Sequence, residues 1–328
     1  MLDLNASFQV IDSHTAGHPT RVILSGIPAL PGKSVRERRD HFRDRYDHLR
    51  PLLLHEPRGH AAMVGLIPTS SDVADYGAFF ISSYIYLNMC GHGTIGYAKT
   101  LAASGQLSAE SGIERFTLET PAGVVTVGLT WDNSGELAGV RLRNVPSYAA
   151  IEGMTITVDG IGAVPVDVAY GGMWYALVNA KDVRLTLEPD SVSQALRLGT
   201  EIKALANVAL KLRGEGEPSE VESVVFYDET GPNAAVHLVV LASNKFDRSP
   251  CGTGTSARLA QLYRKGRLAV GEPYQALNIF GVPFHGRIAE TNSDGAVIPE
   301  IEGNAHITAF STIVRERTDP LASGFLCR

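Results

Sequence analysis

The chain has 328 residues, of which 44% are hydrophobic and 20% are charged, and its formal net charge is -6. A chain of this length exceeds the size at which one hydrophobic core keeps growing, so we expect two domains. The acidic balance and the lack of a separate Lys/Arg-rich run argue against nucleic acid as a partner.

Short β-like runs bounded by Gly, Pro and Asp dominate the sequence. We expect a helix over 34–49, a charged, solvated segment that opens with a Ser cap. A second helix is expected over 190–213, where apolar residues recur at helical spacing. Two more helices are expected, each directly after a cysteine. In chain order the expected strands are 8–12, 21–25, 62–67, 78–87, 116–120, 124–130, 164–169, 174–179, 222–228 and 235–242.

Localisation can be argued from the apolar runs and the cysteines. The longest apolar stretches, such as 234–242, are too short to span a bilayer. The first ten residues have neither the basic nor the long apolar region of a signal peptide. Three cysteines in so long a chain are not a disulfide framework. We therefore expect a cytoplasmic protein with no membrane partner, and the cysteines need another explanation.

A repeated motif supplies that explanation. Segments 90–107 and 251–268, about half the chain apart, share Cys, Gly and Thr at the positions Cys-Gly-x-Gly-Thr, with Leu, Gly and Leu further on. Each copy follows an apolar strand and continues into an Ala/Leu-containing segment that ends at Gly105 or Gly266, as a helix C-terminus would. Such self-similarity is typical of a duplicated structural unit. Each half would then place one cysteine at the start of a helix.

A thiol at a helix N-terminus suggests proton-transfer chemistry. The free N–H groups and partial positive charge there bind anions, and the same field lowers a thiol pKa from its usual value of about 8.5. Two such ends around one carboxylate would place a sulfur on each side of the adjacent carbon. A thiolate could remove the α-proton from one face while a thiol protonates the other. No cofactor is needed if the N–H groups hold the enolate-like charge.

The cysteine motifs resemble the two signatures of the proline racemase family, which includes 4-hydroxyproline 2-epimerases and trans-3-hydroxyproline dehydratases. The signatures are residues 88–96 (NMCGHGTIG) and 247–255 (DRSPCGTGT). The likeness extends along the chain to residues 12–17, 56–60, 144–146, 170–172, 319–320 and 324–325.

This resemblance implies a diaminopimelate-epimerase-like α/β (α+β) fold with two pseudo-symmetric domains, each a mixed sheet around a central helix, and the site between them. The repeat spacing and the resemblance together suggest residues 1–122 plus 304–328 for the half carrying Cys90. Residues 123–303 would form the half carrying Cys251. The resemblance implies no metal or cofactor. An amino acid is the expected small-molecule partner, and a homodimer is compatible with the sequence.

The resemblance also implies roles for individual residues. Cys90 and Cys251 would be the catalytic acid and base. The substrate-binding residues would comprise backbone N–H donors to the carboxylate and side chains near the ring nitrogen. The backbone donors are Gly91, His92, Gly252 and Thr253, and the side chains near the nitrogen are those of His92 and Asp247.

Substrate preference is read from departures within the family. Cys rather than Thr at position 251 favours an epimerase over a dehydratase. Proline racemases carry one Phe where Met63-Val64-Gly65 stands here and another where Leu241 stands, so a wider pocket is expected around Val64 and Leu241. The stretch 171–174, ending in Trp174, resembles hydroxyproline epimerases. The favoured substrate is therefore trans-4-hydroxy-L-proline, with proline racemase and 3-hydroxyproline epimerase or dehydratase as alternatives. The consequence of His18, where the family usually has Glu, stays open.

Three alternative functions have less support from the sequence: a dinucleotide-dependent dehydrogenase, a metal-binding protein and a non-catalytic binding protein. The segment 91–96 also fits G-x-G-x-x-G, but about ninety β-rich residues precede it, whereas a dinucleotide fingerprint belongs at a first βα turn. A metal site drawn from the scattered histidines and Cys90 lacks a recognisable ligand spacing. A non-catalytic amino-acid-binding protein would not need a second thiol, because N–H groups alone hold a carboxylate.

Overall fold

The computed structural model describes residues 4–213, 218, 220–242 and 244–327. The chain divides into two compact units, Met1–Leu142 with Gly303–Arg328 and Arg143–Glu302. Among the described residues, no helix combines the length and apolar character needed to cross a bilayer.

The described residues form eighteen strands and five α-helices. The helices are α1 (Val35–Tyr46), α2 (Leu49–Leu54), α3 (Gly91–Ala103), α4 (Val192–Arg213) and α5 (Gly252–Arg264). The strands are β1 (Leu4–Thr15), β2 (His18–Ile23), β3 (Val64–Thr69), β4 (Tyr76–Ser82), β5 (Tyr86–Leu87), β6 (Arg115–Thr120), β7 (Gly123–Trp131), β8 (Leu137–Arg143), β9 (Tyr148–Val158), β10 (Gly162–Tyr170), β11 (Trp174–Asn179), β12 (Ser223–Gly231), β13 (Ala234–Ala242), β14 (Lys245–Asp247), β15 (Pro273–Leu277), β16 (Pro283–Thr291), β17 (Val297–Gly303) and β18 (Ala305–Glu316).

The first unit is a mixed sheet with α3 packed on it. Strand β1 pairs antiparallel with β18 and β2, while the pairs β2–β3 and β4–β6 are parallel. Helix α3 packs against β1, β2, β3 and β18. Its Gly96 allows the close approach, because a Cβ there would lie 2.9 Å from the Ser13 hydroxyl and 3.0 Å from that of Thr20. Helices α1 and α2 belong to a second cluster of buried apolar residues in this unit, which includes Phe8, Phe42 and Leu52.

The second unit has the same plan. Strands β9 to β11 and β12 to β14 form antiparallel runs that are joined by the parallel pair β11–β12, and β13 pairs parallel with β15. Helix α5 packs against β9, β10, β11 and β16. Helix α4 packs against β9, β12 and β13, and it buries Leu198, Ile202, Ala206 and Leu210 along one stripe. Each unit is therefore a mixed sheet with the helix that follows its cysteine packed on it. The predicted fold class is confirmed.

The units divide the chain differently from the suggested boundary after residue 122. Residues 123–142 lie in the first unit. The reason is that β7 and β8 continue the antiparallel meander begun by β6. The segment from residue 303 also belongs to the first unit, where β18 pairs with β1 along its length.

Some elements differ from the sequence expectation. Helix α1 begins as expected, with the Ser34 hydroxyl accepting a hydrogen bond from the Glu37 N–H. Only one face of the helix is solvated, because Val35 and Phe42 are fully buried where α1 packs against β4 and β6, while residues 36–37 and 43–45 are exposed. The expected strand over 78–87 is interrupted after Ser82. Strands β8, β9 and β14 to β18 were not expected, because polar residues such as those of β18 dilute their apolar pattern.

Candidate active site

Cys90 occupies the N-cap of α3. Its backbone is extended (φ -146°), and its carbonyl accepts hydrogen bonds from the Thr94 N–H and hydroxyl, each at 2.9 Å. The residue is buried, and its sulfur lies 3.4 Å from Nδ1 of His92. A Cβ at Gly93 would lie 3.2 Å from this sulfur. The glycine therefore lets the first helical turn fit closely against the thiol.

His92 is held in place by β1 and by another histidine. Its carbonyl accepts a hydrogen bond from the Thr15 hydroxyl at 2.9 Å. Its ring meets the ring of His18 edge-on, with centroids 4.3 Å apart. His18 is only 1% exposed, so the contact is inside the protein. His18, to which the sequence assigned no role, thus packs on His92, the histidine that contacts the Cys90 sulfur.

Cys251 occupies the equivalent N-cap of α5. It is buried and adopts φ +65°, a left-handed conformation that a non-glycine residue holds only at a cost. Its sulfur accepts a hydrogen bond from the Gly254 N–H at 3.4 Å. The hydroxyls of Tyr175 and Thr253 lie 3.5 and 3.6 Å from the same sulfur, and they lie 2.6 Å from each other. Backbone strain of this kind is concentrated at functional sites.

The electrostatics at Cys251 differ from the sequence expectation. Burial, with the nearby Asp247 carboxylate, raises the pKa of the Cys251 thiol to about 12. Hydrogen bonds from Tyr175, Thr253 and Gly254 oppose this rise without cancelling it. The pKa of the Cys251 thiol is therefore raised where the sequence predicted that it would be lowered, because burial disfavours the charged thiolate.

Each unit thus carries one buried cysteine at the start of a helix that packs on its sheet. The chain matches the proline racemase family over residues 10–326.

The protein belongs to the proline racemase family.

Similar proteins within this family carry different substrate names. The chain is 36% identical to a proline racemase of Acetoanaerobium sticklandii, over 99% of each protein. It is 38% identical to a 4-hydroxyproline 2-epimerase of Streptosporangium roseum, over 97% of this chain and 98% of that protein. The structure of a hydroxyproline epimerase from Agrobacterium vitis, with bound trans-4-hydroxy-L-proline, superposes with a TM-score of 0.86 at 27% identity. That match covers 100% of this chain and 96% of the other. The predicted enzyme class, a racemase or epimerase of proline-type amino acids, is confirmed, and the binding-protein alternative is set aside.

The turn that precedes Cys251 is built from two other motif residues. Asp247, at the end of β14, is buried, and its Oδ1 accepts hydrogen bonds from the Ser249 N–H (2.9 Å) and hydroxyl (2.8 Å). The Ser249 hydroxyl in turn accepts from the Cys251 N–H at 3.1 Å. Asp247 thus fixes the backbone that presents Cys251, besides any role toward a ligand.

The other predicted site residues lie in the two units as follows. Gly91 and Gly252 open α3 and α5 and are half-buried. Among the described residues, a Cβ at Gly252 would meet no atom within 4 Å. Val64 begins β3 and is 2% exposed, and Leu241 is half-buried on β13. Of the predicted residues, the structure brings His92 against Cys90 and Thr253 against Cys251.

Sequence reasoning assigned no site role to four residues that contact the two cysteines or the residues beside them. Thr15 and His18 hold His92, Ser249 holds the turn before Cys251, and Tyr175 contacts the Cys251 sulfur. Tyr175 directly follows Trp174, at the end of a stretch already singled out, but no spacing rule links β11 to a cysteine on α5. Within the described part of the chain, no group of three or more His, Cys, Asp or Glu residues is placed to hold a metal ion.

Proposed function

We propose that the protein is a 4-hydroxyproline 2-epimerase, converting trans-4-hydroxy-L-proline to cis-4-hydroxy-D-proline with Cys90 and Cys251 as acid and base. The observation that carries the proposal is the matched pair of buried cysteines, each capping the N-terminus of a helix packed on its unit's sheet. A carboxylate binder needs helix N–H groups but not two sulfurs.

The proposed reaction moves one proton at each sulfur. A cysteine thiolate removes the Cα proton from one face, and the electron pair of that bond moves into the carboxylate to give an ene-diolate. The thiol of the other cysteine donates its proton to the opposite face, inverting the carbon. The enzyme is left with the protonation states of the two sulfurs exchanged. The chemistry requires the sulfurs to reach opposite faces of one α-carbon.

The helix N-termini supply the charge stabilisation that this intermediate needs. The first N–H groups of a helix have no carbonyl partner within the helix. We assign two pairs of such N–H groups to the carboxylate oxygens of the substrate. One pair belongs to Gly91 and His92, and the other to Gly252 and Thr253. The open space beside Gly252 supports an approach of the ligand to that helix end. The buried Asp247 carboxylate has the charge to pair with the substrate's ring nitrogen, and the His92 side chain is assigned to the same region.

The choice of hydroxyproline over proline rests on two kinds of support. Val64 and Leu241 are smaller than the Phe residues of proline racemases, which favours a substituted ring. The hydroxyproline epimerase with bound trans-4-hydroxy-L-proline aligns along the whole chain. Proline racemase is the second candidate, because relatives with that name also match nearly the whole chain at 36% identity. Dehydratase action on 3-hydroxyproline is less favoured, since Cys stands at position 251.

Proton NMR in D2O tests the function and the roles of the cysteines together. The enzyme is incubated separately with trans-4-hydroxy-L-proline, L-proline and trans-3-hydroxy-L-proline. We expect loss of the α-proton signal and growth of the cis-D epimer with the first substrate. Cys90→Ser and Cys251→Ser should each lower the rate by at least about 100-fold, because a hydroxyl is a far poorer base at neutral pH.

The matched control is Cys327→Ser, which changes an exposed cysteine and should leave the rate unchanged. Faster racemisation of L-proline than epimerisation of hydroxyproline would make the second candidate correct. Formation of a cyclic imine from the 3-hydroxy compound would identify a dehydratase. Full activity in either serine variant would refute the two-thiol mechanism.

A further inference from the structure

We propose that Tyr175 is a positioning residue for Cys251, and that its hydroxyl and that of Thr253 form a reorientable pair that serves the sulfur in both of its protonation states. The inference rests on the proposed two-cysteine mechanism, in which Cys251 must alternate between thiol and thiolate. It concerns a residue outside the cysteine motifs and assigns it a task of its own.

The position of Tyr175 is fixed by the sheet. It lies on β11, where its backbone is paired with Ala169 of β10 on one side and Ser223 of β12 on the other. The side chain is 1% exposed, so the ring has little freedom to turn away. The phenol hydroxyl is consequently held 3.5 Å from the Cys251 sulfur and 2.6 Å from Oγ1 of Thr253.

The two hydroxyls can reverse their hydrogen bonds. Each carries one proton and two lone pairs, so each can donate or accept. When Cys251 is a thiolate, one hydroxyl donates to the sulfur and the other donates to the first, which strengthens the bond. When Cys251 is a thiol, its S–H can donate to a hydroxyl and the pair reverses. The Gly254 N–H, the other donor to this sulfur, is fixed and can only donate, so it cannot accept a hydrogen bond from the S–H of the thiol.

The charges around Cys251 make such a donor necessary. The titratable groups that face the sulfur within the described residues are Asp247 on β14 and Tyr175 on β11. The Asp247 carboxylate disfavours the thiolate, whereas the hydroxyl bonds favour it. Burial raises the pKa of Tyr175 well above its ordinary value of 10.0. The phenol therefore keeps its proton at neutral pH and remains a donor.

The Cys90 sulfur contacts different groups from the Cys251 sulfur, so Cys90 is an internal reference for any change measured at Cys251. At the second position after the cysteine, the first motif carries His92 and the second carries Thr253. The Cys90 sulfur lies against the His92 imidazole, while Cys251 lies against the two hydroxyls. Removing the Tyr175 hydroxyl should therefore change the chemistry of Cys251 and leave that of Cys90 as it was.

The test is the rate of alkylation by iodoacetamide between pH 7 and 10, measured at each cysteine by peptide mass spectrometry in the intact protein. The thiolate is the reactive form, so below the midpoint the rate follows its population. If Tyr175→Phe lowers the Cys251 thiolate population about tenfold, the accompanying gain in nucleophilicity leaves a net slowing of about three- to fourfold. The Cys90 rate should not change. In the epimerase assay, kcat should fall while KM stays the same.

Tyr227→Phe is the matched control. Tyr227 is a buried tyrosine on the neighbouring strand β12, with its ring against the guanidinium of Arg258 rather than a cysteine. It should leave both alkylation rates at the wild-type values. An unchanged or increased ratio of Cys251 to Cys90 alkylation in Tyr175→Phe would overturn the proposal. If that variant does not fold, Thr253→Val replaces it, with the same slowing expected at Cys251 and the same outcome refuting the pair.

Alkylation needs no substrate, so this test is independent of the substrate assignment. If Tyr175→Phe slows alkylation of Cys251 but the wild-type protein epimerises none of the three amino acids, the role of the hydroxyl pair stands and the proposed function is refuted. If the wild-type protein epimerises hydroxyproline but Tyr175→Phe leaves alkylation of Cys251 unaltered, the proposed function stands and the role of Tyr175 is refuted.

Discussion

Gly171 lies where any side chain would push α5, the helix that follows Cys251, out of place. A Cβ at this position would lie 2.1 Å from the Thr253 carbonyl oxygen and 2.6 Å from the Ala257 amide nitrogen. Both are backbone atoms of α5, so no rotamer change can relieve the overlap. Restoring a normal contact of about 3.5 Å from the present 2.1 Å requires the loop or the start of α5 to move by about 1.4 Å. Gly171→Ala therefore tests how tightly the β10–β11 turn sets the position of Cys251.

The expected magnitudes follow from that displacement. Overpacking typically costs about 1–3 kcal/mol, and a rigid backbone overlap should lie near the upper end. For a protein of 328 residues, a loss of about 3 kcal/mol corresponds to a fall in Tm of about 4 °C. A misplacement of about 1 Å at a reacting group can cost about 100-fold in rate. We therefore expect Gly171→Ala to fold with a lower Tm and to lose most of its turnover.

The assays are differential scanning calorimetry and the NMR rate of epimerisation. The matched control is Gly128→Ala on β7, where a Cβ would lie an ordinary 3.5 Å from Cβ of Arg141. That variant should keep both Tm and rate. Wild-type Tm and turnover in Gly171→Ala would refute the claim that close packing against α5 positions Cys251.

Two further predictions concern stability. Arg21 donates to both oxygens of Asp12 (2.8 and 2.7 Å) and to the Leu53 and Arg58 carbonyls (both 2.6 Å), so Arg21→Met should lower the free energy of unfolding by about 3–5 kcal/mol. Urea unfolding measures this loss, and a change below about 1 kcal/mol would show that the network contributes little. Burial, with Arg258 nearby, lowers the pKa of His237 from 6.5 to about 3, so the unfolded state binds a proton that the folded state does not. Stability should therefore fall as the pH drops from 6.5 toward 3, by up to about 1.4 kcal/mol per pH unit for this group. His237→Gln should show a shallower acid slope in urea titrations, and an equal slope would mean that His237 is protonated in the folded protein.

The sequence alone determined the parts of the protein that depend on local signals. The two Cys-Gly-x-Gly-Thr motifs, each followed by Ala and Leu and then by a glycine, were sufficient to predict α3 and α5 and the cysteines at their starts. The same motifs identified the family, because they are rare as a pair. Ser34 marked the start of α1, since an N-cap hydroxyl acts on an amide only three residues away.

Features that depend on distant contacts were decided by the tertiary structure. Strand β18 has an alternating, half-polar sequence that becomes a strand by pairing with β1, almost the whole chain away. The high pKa of Cys251 arises because strands and α5 remove its sulfur from water, a cost that the helix field predicted from sequence could not reveal. The contact of Tyr175 with that sulfur likewise exists only because β11 packs against α5. Caps and motifs act over a few residues and can be read directly, whereas desolvation and strand pairing depend on which distant segments come together.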